Sequence, residues 1–200
     1  MGDIEVPTRK LTFEEFLAWC DEDTWAEWED GEVIMLSPAS RRHENISDFL
    51  VAVLRIFAET RGLGEVISAP FPMRTGPDLP AREPDILFVS KENLERLKDT
   101  HLEGPADLVV EITSPESAER DRGKKFYEYE KGGVREYWLI DPDREEAEFY
   151  RLVGGRYRLI YPEGGIYRSE VLPGFWLRVD WLWQDPLPPV LSVLRELNLI

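Results

Sequence analysis

ADLVVEITSPESAERDRGKKFYEYEKGGVREYWLID, residues 106–141, is the stretch on which the fold turns. Leu108, Val109, Val110 and Ile112 make a short apolar run of strand length. Residues 114–133 alternate charge with aromatic side chains at helical spacing and close on Gly132-Gly133, a helix stop. VREYWLID, residues 134–141, is then a second buried strand. Strand, helix and strand in that order predict a βαβ crossover with parallel strands and a right-handed connection. One residue does not fit an apolar strand. Glu111 sits inside it, and burying an ionised carboxylate costs several kcal/mol unless a cation holds it.

Working upstream, residues 37–62 place Ile46, Phe49, Leu50, Val53, Leu54 and Phe57 at helical spacing, with Gly62 as the stop. EVISAPFPMR (65–74) and EPDILFVS (83–90) read as strands, followed by a short charged surface helix at 91–99. The middle of the chain therefore runs helix, strand, strand, strand, helix, strand, which is an α/β core. Added to it are a helix at 12–20, capped by Thr12 with Glu15 three residues on, and a hairpin at 25–36 turning at Asp30-Gly31. Downstream, a hairpin at 146–163 turns at Gly154-Gly155, a strand lies within 170–183, and proline opens a closing helix at 188–200. The expected organisation is one unit over 1–200. Its core spans about 40–142, its N-terminal helix and hairpin 10–37, and its C-terminal hairpin, strand and helix 145–200.

Two hundred residues suffice for one substantial core. The formal net charge of −16 excludes a generic basic surface for nucleic acid, so any such function needs a local cationic site, bound metal ions or a partner. The lone Cys20 excludes an internal disulfide and a cysteine-based zinc site. No apolar run reaches the roughly 20 residues of a membrane helix, and residues 1–10 lack the apolar core of a signal peptide. A cytoplasmic protein is expected.

Residues two apart on a strand share a face, so Glu111 and Thr113 point one way and Val110 and Ile112 the other. Asp85 opens the strand expected to neighbour this one, and antiparallel pairing brings the two carboxylates to one sheet edge. Such a pair suits a hard cation, Mg²⁺ or Mn²⁺. The following helix folds back along its strand. If it starts near Arg120, Lys125 lies about 8 Å along it and Glu111 about 7 Å back from the strand end, so the two are level. Lys125 shares a face with Phe126 and Tyr129 and points inward, while Lys124 points outward and remains the alternative. Aspartate, glutamate and lysine around a metal suit phosphodiester hydrolysis.

The structural alternatives are equally concrete. Glu111 can pair with Arg82 or Arg122, Asp85 can be a strand-entry residue, and Lys125 can snorkel to the surface. His43, beside Arg41 and Arg42, belongs either to a solvated cationic cluster below a Ser37 or Ser40 cap or to a phosphate-contacting helix start. Glu27 reads as a hairpin surface acid. Tyr127 and Tyr129 read as packing the helix on the sheet. Tryptophans such as Trp25, Trp28, Trp138 and Trp181 read as core or interface.

EPDILFVS, VVEITSP, DRGKKFYEYEKGGVREYWLID and VLPGFWL together resemble the Uma-type restriction endonucleases of bacteria, a divergent branch of the PD-(D/E)XK nuclease superfamily. The resemblance runs from EDGEVIMLSP (29–38) to LPGFW. It implies a restriction-endonuclease-like α-β-β-β-α-β mixed sheet flanked by helices, with the hairpins as additions. It also implies a metal pair of Asp85 and Glu111 holding Mg²⁺ or Mn²⁺. Thr113 stands where the superfamily pattern has lysine, and the resemblance moves that role to Lys125 of the D-x-x-x-K-x-x-x-Y run. Glu27 matches the family's hairpin acid and His43 its early-helix histidine. The implied activity is a metal-dependent endonuclease acting on DNA, as a homodimer or higher oligomer. The alternative is a nuclease fold kept as an inactive binding or assembly module.

Overall fold

The computed structural model describes residues 6–21, 24–115 and 117–200, so residues 1–5 of the N-terminal stretch and residue 116 of the expected 114–133 helix lie outside it. The chain begins with α1 (Phe13–Trp19), whose Thr12 and Glu15 form the expected capping box. β1 (Ala26–Glu29) and β2 (Glu32–Met35) form a hairpin. Its turn needs positive φ at both central residues, supplied by Asp30 (φ 51°) and Gly31 (φ 90°). α2 (Arg41–Arg61) starts at Ser40, whose hydroxyl accepts the His43 N–H, and ends at the left-handed Gly62.

The strands β3 (Gly64–Ser68), β4 (Met73–Arg74), β5 (Ala81–Arg82) and β6 (Ile86–Ser90) follow. After a 3₁₀ turn at Lys91–Arg96 come β7 (Leu102–Glu103) and β8 (Leu108–Ile112). The next helix has three parts: α3 (Ala118–Arg120), a π turn over Asp121–Lys125, and α4 (Phe126–Gly132) closed by the left-handed Gly133. β9 (Glu136–Asp141), β10 (Glu146–Val153) and β11 (Arg156–Leu159) come next. The chain finishes with β12 (Ile166–Arg168), β13 (Trp176–Arg178), a 3₁₀ turn at Val179–Trp183 and α5 (Val190–Glu196).

The central sheet has the order β11-β10-β9-β8-β6-β3. β8 and β9 are parallel across the helical crossover, and β6 runs antiparallel to both β3 and β8. With α2 before β3 and α3–α4 before β9, the core reads α-β-β-β-α-β, a mixed sheet flanked by helices. The period of two divides its strands cleanly. Phe88, Val110, Ile112, Trp138 and Ile140 pack with α2 on one face. Leu87, Val89, Val109, Tyr137 and Leu139 pack with Tyr129 of α4 on the other. Glu111 belongs to the second set, so it faces the crossover helix.

Several expectations need correction. Residues 65–74 are not one strand: β3 belongs to the central sheet, whereas β4 belongs to a second sheet ordered β2-β1-β5-β4-β7. Pro70 and Pro72 lack the N–H that a continuous ladder requires, so the chain leaves one sheet there and joins the other. The 91–99 segment is a 3₁₀ turn, and β12, which pairs with β13, was not anticipated. Tyr129 packs on the sheet, but Tyr127 is 65% exposed on the opposite side of the helix. No helix among the described residues is long and apolar enough to cross a membrane.

Two buried carboxylates staple strand ends. Glu136 accepts the Trp138 indole N–H (3.1 Å), the Ser169 hydroxyl (3.0 Å) and the backbone N–H groups of Glu170 and Val171, which fastens the 169–175 loop to β9. Asp107 accepts the Ser90 N–H (2.7 Å), the Asn93 amide (3.1 Å) and the Arg135 guanidinium (3.2 Å), joining the ends of β6, β8 and β9. Burial opposes its charge, yet these donors outweigh burial and hold the Asp107 pKa below the ordinary aspartate value. A carboxylate with a depressed folded pKa stabilises the fold above its unfolded pKa and loses that contribution as pH falls through the folded value. Asp107→Asn is therefore expected to cost about 2 kcal/mol at pH 7, with the deficit shrinking below pH ~4. Urea denaturation at both pH values checks it; an equal deficit at both would contradict the assignment.

Candidate active site

The register of β6 and β8 sets the site. Ile86 pairs with Val110, so Asp85 and Glu111 each lie one residue beyond that pair, on adjacent strands and at the same end. Asp85 accepts the Ile112 backbone N–H (2.6 Å), which fixes its carboxylate against β8. Its other oxygen lies 3.2 Å from His43 Nε2. His43 is on the first turn of α2, where the Ser40 cap sets the helix start. Burial works against a charged imidazole, but the hydrogen bond and charge of Asp85, with Glu44 and Glu111 behind it, hold the His43 pKa above its usual value.

Across the sheet edge, Lys125 donates to Glu111 Oε1 at 2.9 Å. The ammonium also lies 3.0 Å from Glu27 Oε1 and 3.3 Å from Asp121 Oδ1. It is 3% exposed, while Lys124 is 65% exposed and pairs with Glu29 (2.8 Å). Burial penalises the Lys125 charge, but three carboxylates hold it charged, with its pKa well above the ordinary lysine value. Tyr129, one turn further on, donates to the same Glu111 oxygen at 2.7 Å. Burial, reinforced by the charges of Asp121 and Asp85, pushes Glu111 up to about 8 against the pull of Lys125 and Tyr129.

The five residues singled out from the sequence thus converge in two linked groups: Asp85 with His43, and Glu111 with Lys125 and Glu27. Arg82 and Arg122 do not neutralise Glu111; Arg122 pairs with Asp141 (3.2 Å) and Glu148 (3.0 Å). The reading of Glu27 as a hairpin surface acid is overturned, because its side chain is fully buried. Both faces of β1 are covered: Ala26 packs on α1, and Glu27 faces the crossover helix from the other side. The solvated cationic cluster is also overturned, since Arg42 donates to the backbone carbonyls of Leu182 and Gln184.

Three contributors were missed. Asp121 shares the helix face of Lys125, and the i, i+4 spacing of Asp121, Lys125 and Tyr129 already carried that signal. Arg82 is fully buried and binds Glu27 (3.1 Å), Glu29 (3.0 Å) and Glu128 (2.7 Å) at once. Nothing local to Arg82 announces this. Glu83 is buried, accepts the Ala26 N–H (3.2 Å) through Oε2, and has no hydrogen-bond partner at Oε1 among the described residues. Burial pushes its pKa up to about 8, with Glu27 and Asp85 adding to the effect and the Ala26 N–H and Lys125 opposing it. Its position two residues before Asp85, on the same face of an extended chain, was the available signal.

A cavity of about 480 Å³ opens onto this group and is lined by Glu83, Asp85, Glu111, Asp121, Lys125 and His43, among others. Among the described residues, no three His, Cys, Asp or Glu side chains form a ready-made metal cage. Asp85 and Glu111 could nonetheless hold an ion. Glu111 Oε2 accepts no hydrogen bond from the described residues, because both donors go to Oε1. Two carboxylates on a water-accessible cavity fit Mg²⁺ or Mn²⁺, which commonly complete their shells with water and phosphate oxygens.

The family Uma2, described as "Putative restriction endonuclease", matches residues 13–180. A solved structure described as "a putative nuclease belonging to DUF820 from Anabaena variabilis ATCC 29413" superposes with a TM-score of 0.70 at 20% identity. That match covers 86% of this chain and 97% of the other, and at this identity it shows a shared fold. No curated protein matches the chain.

Proposed function

The chain belongs to the Uma2 family, and from that premise we propose that it is a divalent-metal-dependent endonuclease that hydrolyses phosphodiester bonds of DNA at the Asp85–Glu111–Lys125 cavity. The observation that carries this reading is the 2.9 Å contact between Lys125 and Glu111, on the same strand end as Asp85. Mg²⁺ or Mn²⁺ held by Asp85 and Glu111 would polarise the phosphate and lower the pKa of a bound water. The rest of the chemistry belongs to the chain. Lys125, kept protonated, neutralises charge developing on the phosphoryl oxygens and orients the attacking water. Tyr129 fixes the Glu111 carboxylate through its own hydrogen bond, and His43 does the same for Asp85. Glu27 holds Lys125 from the hairpin side. Cutting both strands calls for two such sites, so a homodimer or higher oligomer belongs to this reading.

The test is nicking of supercoiled plasmid DNA with Mn²⁺. Wild-type protein is expected to nick and Glu111→Gln is expected to match the metal-free control. The amide is nearly isosteric, and Glu27 and Asp121 still face Lys125 in the variant, so it should melt close to wild type. Wild-type activity in EDTA, or a fully active Glu111→Gln, overturns the proposal. Thr113, where the superfamily pattern has lysine, favours one rival: a fold that binds without cutting. Calorimetric titration with no saturable Mn²⁺ binding would select that rival.

A further inference from the structure

The cavity is lined by unlike groups: carboxylates and Lys125, and also Trp25, Met35, Leu36, Pro38 and Pro115. Trp25 is 40% exposed and Met35 39% exposed, unusually open for such side chains beside a buried charged cluster. Trp25 is nonetheless held in place: its carbonyl accepts the Leu36 N–H (3.0 Å), which ties the two ends of the hairpin together. Arg120 also lines the cavity. Its Nε is buried with no hydrogen-bond partner among the described residues, and it lies 4.0 Å from Glu27. The other cations at the cavity are engaged, Lys125 by three carboxylates and His43 by Asp85.

We infer that this cavity takes a single-stranded, unstacked nucleotide, with the base on the Trp25 indole and the phosphate on Arg120. The inference rests on the phosphodiesterase reading of the same site and narrows its substrate class. A cavity lined by an exposed aromatic ring, a cation and buried carboxylates matches a nucleotide, which is flat and apolar at one end and anionic at the other. The cavity volume lies within the range of pockets that enclose a small ligand. An intact duplex is poorly served: its affinity comes from many phosphate contacts with a basic surface, and the chain carries a net charge of −16, so the nicks expected in supercoiled plasmid fall where its strands open. Base–aromatic stacking is tolerant of sequence, so weak base preference follows.

Fluorescence anisotropy in Mn²⁺ with a labelled single-stranded 12-mer, its duplex and an abasic chain of the same backbone tests this without requiring turnover. The single strand is expected to bind about tenfold more tightly than the abasic chain, and more tightly than the duplex. Trp25→Ala should erase the base-dependent difference, Trp25→Phe should keep most of it, and Arg120→Gln should weaken the single strand and the abasic chain alike. Duplex bound as tightly as single strand, or Trp25→Ala with wild-type affinity for the 12-mer, overturns the inference. Binding that follows this pattern without Glu111-dependent cleavage would leave the inference standing and remove the nuclease reading instead.

Discussion

Lys125→Met is expected to remove the proposed nicking activity by about 10²–10³-fold and to destabilise the metal-free protein by about 3–5 kcal/mol at pH 7. Both effects have one source. The ammonium is buried among Glu27, Glu111 and Asp121, and removing it takes the paired cation from Glu111 and Asp121 and leaves Glu27 to its arginines. For a chain of this length such a loss lowers the melting temperature by roughly 10 °C. The pH dependence separates this account from a simple packing defect. Without the lysine, Glu27 loses a charge that now helps hold its pKa down, and burial raises Glu111 further above its unfolded value. A group so raised favours the folded state below the unfolded pKa, and that advantage disappears as pH rises through the folded pKa. The deficit should therefore be smallest near pH ~4.5 and grow toward neutrality. Urea denaturation across that range measures it; a deficit independent of pH would show that the lysine is not what neutralises the cluster.

Arg82→Met is expected to cost a similar amount, about 3–5 kcal/mol. The guanidinium is fully buried and reaches three carboxylates at once: Nη1 to Glu27, Nη2 to Glu29 and Glu128, and Nε to Glu128. Arg82→Lys should not restore stability, because an ammonium cannot span that planar fan of acceptors. Glu27 links this centre to the candidate active site, with Oε2 on Arg82 and Oε1 on Lys125. Losing Arg82 should consequently lower activity as well, through a loosened Glu27. A double-mutant cycle of Arg82→Met with Glu27→Gln should show coupling above about 0.5 kcal/mol. Additive effects, or an Arg82→Lys variant as stable as wild type, would contradict the shared network.

The two centres also give the hairpin a purpose. β1 and β2 belong to the second sheet, and Glu27 carries that sheet into the site through Lys125 and Arg82. WAEWEDGEVIML reads as a surface hairpin because its first strand has acids at alternate positions, Glu27 and Glu29. What turned Glu27 inward was the covering of the second face of β1, a contact between segments 55 residues apart in the case of Arg82.

Glu111 and Lys125 were legible for a different reason. Strand and helix periods are local rules, and 106–141 contains both elements with their connection. From those rules Glu111 and Thr113 had to share one face of the strand, and Lys125 had to be near the level of Glu111; the fold then puts the crossover helix over that face. The helix is not the regular one assumed for that estimate, since it widens into a π turn over Asp121–Lys125. Such turns are rare and have no compositional signature in DRGKK, although they recur at functional sites. The widened turn still leaves Asp121 and Lys125 on one side, within 3.3 Å of each other.

The amino-acid order by itself determined the α-β-β-β-α-β run of the core, the parallel pairing of β8 with β9, the sharing of one strand face by Glu111 and Thr113, and the inward side of Lys125. Those outcomes follow from periodicity and from the short reach of a βαβ connection. Only the tertiary structure decided that Glu27 and Arg82 are interior, that Glu83 keeps an unpartnered oxygen, and that Trp25 stands open beside the carboxylates. Each of these depends on which surface a distant segment covers, and burial of a charge is determined by its partners rather than by its neighbours in the chain.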